Sequence, residues 1–86
     1  MEKTVILVLV GKRRESAVAV QTVLTKWGCN IKTRLGVHDG VLDRCSEVGL
    51  IMLEVVGSLD EKRQMAAELT AIAGVSCKSV DLALAN

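Results

Sequence analysis

The sequence predicts an α+β fold: a four-stranded antiparallel sheet in the order 4-1-3-2, with two helices on one face. Three observations predict it. Residues 4–10 (TVILVLV) and 48–56 (VGLIMLEVV) are apolar at nearly every position, and Gly11 and Gly57 close them. Two further segments repeat apolar residues every three or four positions and end at Gly28 and Gly74. Between and after these lie two strand-like stretches, so the order is strand, helix, strand, strand, helix, strand.

The first strand, residues 4–10, is rich in β-branched residues and apolar towards both faces, the pattern of a central strand. The turn at Lys12, Arg13 and Arg14 leads into a helix over residues 14–27. Ala17, Val20, Leu24 and Trp27, with Val23 beside them, form one buried stripe. Gly28 stops the helix as a left-handed terminal glycine does.

The second strand spans residues 30–38. Ile31, Thr33, Leu35 and Val37 point one way. Lys32, Arg34, Gly36 and His38 point the other, and their polarity suits the outside of an edge strand. Asp39-Gly40 opens a turn, and a loop runs to Ser46. The third strand, residues 48–56, is again apolar on both sides. Ser58 to Glu61 (SLDE) reads as a capping box for a helix over residues 59–73, which buries Met65, Ala66, Leu69, Ile72 and Ala73. The last strand covers residues 75–84.

Right-handed crossovers turn this order into the ferredoxin-like βαββαβ arrangement, in which the first and third strands are central. Those are the two runs that are apolar on both sides. Helices cover only one face of the sheet, so the other face needs a second cover. Burying one such side chain stabilises by about 1.5–3 kcal/mol. A homo-oligomer is expected, a dimer or a dimer of dimers packed through the open sheet face.

The 86 residues make one domain, residues 1–86, whose own core is small: a chain this short buries roughly 60–65% of its unfolded surface. Half the residues are apolar, with one Trp and no Phe or Tyr. The net charge of +1 gives no steering towards nucleic acid or an anionic membrane. The central strands also lack the stacking aromatics an RNA-binding sheet needs. No apolar run approaches the ~20 residues of a membrane span, and the six apolar residues 5–10 fall short of a secretion signal. Three cysteines without CxxC spacing fit a reducing cytoplasm better than a disulfide framework.

The chemistry-bearing residues cluster in residues 34–53. His38, Asp39, Asp43 and Cys45 are a candidate metal set: imidazole and thiolate suit zinc, nickel or copper, with carboxylates as further ligands. The competing account is ordinary: His38 on an edge strand, Asp39 in a turn, Cys45 as a filler. A divalent transition metal is the only cofactor the residues suggest. A Cys45–His38 nucleophile pair has no third orienting group and no oxyanion loop, so no enzyme is expected. Trp27 is read as a core plug. Lys32 and Arg34 are read as solvated or interfacial ion-pair partners of Glu47 or Glu54 across the sheet, or of a partner chain.

Residues 30–53 resemble a group of small bacterial proteins described as regulators of the iron-only hydrogenase system, which have an ACT-like fold. The resemblance is carried by Gly28, by Arg34-Leu35-Gly36-Val37, by Gly49-Leu50-Ile51 with Leu53, and by Gly74-Val75 with Lys78. It covers nearly the whole chain and implies a single ACT-like domain. The chain is more distantly similar to the C-terminal domain of the nickel-responsive regulator. His38 matches the second histidine of that domain's His-x-His pair, but Gly36 stands at the first. Cys45 lies near its cysteine, one residue further on. No segment matches its ribbon-helix-helix. These departures weigh against direct transfer of nickel sensing or operator binding.

Resemblance to ACT-type domains also implies an effector site at Gly11, Lys12, Arg13, Arg14 and Gly36. There a glycine admits a ligand, and cations with a helix N-terminus attract a carboxylate. The alternative is a solvated turn. Three functions follow: a ligand- or metal-sensing module acting on a regulated protein partner, a purely structural assembly protein, or a small enzyme using the Cys45 loop.

Overall fold

In a computed structural model of the chain, residues 1–11, 13–38 and 48–85 are described, with the side chains of Arg13, Arg14 and His38 excepted. The elements are β1 (Glu2–Val10), α1 (Arg13–Lys26), a 3-10 turn (Gly28–Asn30), β2 (Ile31–His38), β3 (Gly49–Val55), α2 (Leu59–Thr70) and β4 (Val75–Ala83). The strands form one antiparallel sheet in the order β2-β3-β1-β4, which is 4-1-3-2 read from the other edge. The fold is ferredoxin-like α+β, and the two runs that are apolar on both sides are the central strands.

The period of two along β1 sorts its side chains between faces. Thr4, Ile6, Val8 and Val10 are buried under the helices. On β3, Leu53 and Val55 do the same, and Met65 and Leu69 of α2 close over them. From α1 the core receives Val20, Leu24 and Trp27. The buried Thr4 hydroxyl donates to Asp81 Oδ1 at 2.6 Å and accepts from Lys62 Nζ at 2.9 Å, so its polarity is satisfied.

Local signals act as expected at α2. Ser58 Oγ accepts from the Glu61 amide at 3.1 Å, and Glu61 Oε1 accepts from the Ser58 amide at 2.8 Å. That backbone hydrogen bond holds the Glu61 carboxyl below its ordinary range. Gly57 has φ of 119°, and a Cβ there would collide with Asn30 Nδ2 and Glu61 Oε1. No other residue type fits that corner.

Four details differ from the sequence reading. Ala17 is exposed, and Ser16 takes the inner position, donating to the Ala73 carbonyl at 2.8 Å. Only this first position differs, because the hydrogen bond anchors the helix start to the turn before β4; Val20, Leu24 and Trp27 are buried as expected. Gly28 is not left-handed; α1 passes into a 3-10 turn in which the Asn30 amide reaches the Trp27 carbonyl at 2.8 Å. The second helix ends at Thr70, and Ala73 is exposed, because residues 71–75 form tight turns closed by the Ile72 and Val75 amides. Gly74, with φ of 80°, turns the chain into β4.

The fourth difference is a β-bulge. Ile31 pairs with Val55 but Thr33 pairs with Glu54, so Lys32 is an extra residue. Ile31 therefore packs beneath the helices, while Thr33, Leu35 and Val37 lie on the opposite, open face. Arg34 and Gly36 are not outer positions: they occupy the helix side, as the cross-strand partners of Leu53 and Ile51.

The register lays out the open face as a grid. One row is Val37, Leu50, Leu9 and Ser76; the next is Leu35, Met52, Leu7 and Lys78; the third is Thr33, Glu54, Val5 and Val80. Leu82 and Lys3 follow. Leu9, Leu35, Val37 and Leu82 are 45%, 50%, 40% and 60% exposed, so none of the described elements covers the face. Charge sits at one end. Lys3 Nζ lies 2.9 Å and Lys32 Nζ 4.0 Å from Glu54 Oε2. The hydrogen bond from Lys3 holds the Glu54 carboxyl below its ordinary range.

Candidate functional site

α1 lies over the core but leaves the β2 edge thinly covered. Two causes are visible in the sequence. Gly36 puts no side chain on the helix side, and a Cβ there would meet nothing within 4 Å. Of the three α1 residues that line this edge, Ala17 contributes only a methyl group. Close packing needs every gap to be filled by a side chain, and here the volume is missing. The result is a recess of about 210 Å³ between α1 and the β2–β3 edge.

Its walls are mainly apolar. Val10, Ala17 and Val20 line it from β1 and α1, with Ile51, Gly49 and Gly36 from the sheet. Two polar side chains stand on it, Gln21 from α1 and Arg34 from β2. Arg34 Nη2 donates to Gln21 Oε1 at 3.0 Å, and Gln21 Nε2 donates to Thr25 Oγ1 at 3.4 Å. Gln21 thus orients the guanidinium without neutralising it. Among the described residues no carboxylate pairs with Arg34. The remaining N–H donors of its planar fork match a carboxylate or another planar anion. Apolar walls with a few placed polar groups are the usual make-up of a small-molecule pocket.

The residues named from the sequence fare unevenly. Gly36 lines the recess. The Gly11 amide donates to the Gly74 carbonyl at 2.7 Å, and a Cβ there would sit 3.3 Å from that oxygen. Lys12 lies outside the described residues, as do the side chains of Arg13 and Arg14 at the start of α1. His38 ends β2 as the cross-strand partner of Gly49, with its side chain outside the described set. Asp39, Asp43, Cys45 and Glu47 lie outside it altogether. Among the described residues no group of three or more His, Cys, Asp or Glu could hold a metal.

Arg34 and Gln21 are the polar groups the sequence reading did not place in a site. Of the pairings expected for Lys32 and Arg34, Lys32 approaches Glu54, whereas the bulge at Lys32 sends Arg34 to the helix side; Glu47 lies outside the described residues. Trp27 is the core residue it was read as, and its Nε1 also donates to Glu68 Oε1 at 3.3 Å. Cys77 is half-buried, and burial raises its thiol pKa above the ordinary value, away from reactivity. No helix among the described residues is long and apolar enough to cross a membrane.

No protein-family model and no curated protein matches the chain. Solved structures do. An uncharacterized protein from Thermotoga maritima superposes with a TM-score of 0.79 at 24% identity, over 96% of this chain and all of that one. A nitrogen regulatory PII-like protein, CPII from Thiomonas intermedia K12, was solved bound to ADP, AMP and bicarbonate. It superposes with a TM-score of 0.56 at 10% identity, over 100% of this chain and 98% of that one. At such identities the likeness is one of fold: the chain shares the ferredoxin-like architecture of these proteins.

Proposed function

We propose that the chain is a small homo-oligomeric regulatory module that senses a small molecule and acts through protein contacts, without catalysis of its own. The open face of the sheet carries this reading. Leu7, Leu9, Leu35, Val37, Leu50 and Met52 form a continuous apolar field on two adjacent rows of the grid. A field of this kind on a single soluble chain marks an interaction surface. A second copy is the simplest cover, because a two-fold axis sets like against like. The charged end of the grid, Lys3, Lys32 and Glu54, then forms the rim.

The recess supports the sensing part, since it pairs apolar walls with an unneutralised guanidinium. The shared fold with a PII-like protein that was solved with nucleotides and bicarbonate is consistent with it. The resemblance to hydrogenase-system regulators suggests a protein partner as the output. The cytoplasm is the proposed setting.

Sedimentation of the purified chain at micromolar concentration tests the assembly. A mass twice or four times 9.2 kDa is expected; a monomer throughout overturns the proposal. Stoichiometric nickel or zinc in that sample, lost on His38→Ala or Cys45→Ala, would make the effector a metal. An oligomer indifferent to every small molecule and metal would favour a purely structural role.

A further inference from the structure

We propose that the recess between α1 and the β2–β3 edge binds a short aliphatic carboxylate, with its apolar end between Val20 and Ile51 and its carboxylate on Arg34. This names a ligand class for the sensing module and rests on that reading.

Size sets the upper limit. Pockets for drug-sized ligands run from about 300 Å³ upward, whereas an apolar cavity of about 150 Å³ holds benzene. At about 210 Å³ the recess takes a branched chain of a few carbons and not a nucleotide. Charge sets the sign. Among the described residues Arg34 is the one cation lining the recess and no acid lines it, which favours an anionic ligand over a cationic one. Gln21 holds the guanidinium fork in place before any ligand arrives, which lowers the ordering cost of binding.

The sequence keeps the recess open at a local cost. Gly36 lies within a strand, where glycine is unfavourable, and a Cβ added there would meet no described atom within 4 Å. A side chain at that position would occupy the space a ligand needs. The recess lies on the helix side of the sheet, opposite the apolar grid, so assembly through the open face leaves it accessible.

The test is an NMR titration of the oligomeric protein with 3-methylbutanoate, followed on the methyl signals of Val20 and Ile51, with the neutral 3-methylbutanamide as control. The acid should produce saturable shifts, with the amide at least about tenfold weaker. Arg34→Met, which alters an exposed side chain, should weaken the acid by a similar factor. Gly36→Val should abolish the shifts while the protein remains folded. Absence of saturable shifts in the unmodified protein would overturn the proposal. So would equal binding of acid and amide, or undiminished binding by Arg34→Met. Mass measured on the same sample separates the two ideas: an oligomer without shifts sinks only the carboxylate site, and a monomer with shifts sinks only the assembly.

Discussion

Replacing Leu7 and Met52 together by alanine should dissociate the oligomer while leaving each chain folded. The two side chains are direct cross-strand neighbours at the centre of the open face. Each substitution deletes three heavy atoms; at about 0.8 kcal/mol per buried carbon, full burial of both side chains amounts to ~5 kcal/mol per chain. Both are already more covered than exposed within their own sheet, so at most about a third, ~1.7 kcal/mol, belongs to an interface. A two-fold axis repeats the loss on the other subunit, giving ~3.4 kcal/mol per dimer and a dissociation constant raised about three-hundredfold. Sedimentation velocity over a concentration series reads this directly. Urea unfolding of the monomeric variant should register the remainder, up to roughly 3 kcal/mol, because that part of the burial lies within the chain's own sheet. If variant and unmodified chain show the same mass at every concentration, the open face is not the assembly surface.

Other outcomes follow from the same geometry. Ser58→Ala removes the hydroxyl that accepts from Glu61 and should cost about 1 kcal/mol by urea unfolding, with α2 fraying first in hydrogen exchange. Leu53→Ala, at a fully buried site, should cost about 2–5 kcal/mol and lower the melting temperature sharply. Glu54, Glu61 and Glu68 all have carboxyls held below their ordinary range, by Lys3, by the Ser58 backbone and by Lys26 respectively. Their contribution is present above the unfolded carboxylate pKa, about 4.3, and is lost as pH falls through the lower folded values. Acid unfolding should therefore steepen below about pH 4, and Glu68→Gln should flatten part of that slope. Stability that instead rose on acidification would contradict these pairings.

Much of the fold was legible in the chain because local physics and topology pointed the same way. Two runs apolar on both faces had to be central strands, and with the second and third strands paired as neighbours only the 4-1-3-2 order makes the first and third strands central. Ser58 and Glu61 announced their cap because the geometry is contained within four residues. The period of two also predicted that half of β1 and β3 would face away from the helices, and the field of Leu7, Leu50 and Met52 is what it left there.

Other features depended on contacts far apart in sequence. Ser16 displaced Ala17 from the inner stripe because Ala73, 57 residues away, offers a carbonyl. Gly11 lies tight against Gly74, whose carbonyl its amide reaches, and no local pattern reveals that approach. The extra residue at Lys32 changed most. A strand's two faces are told apart only by counting, so one bulged residue reassigns every side chain beyond it. From sequence alone Arg34 belonged to the outside of an edge strand. The pairing of β2 with β3 turned it to the helix side, beside Gln21, and with Gly36 opened the recess. Composition and periodicity determined the layers and the uncovered face, because they act along the chain; register and packing decided where a ligand could sit, because they act across it.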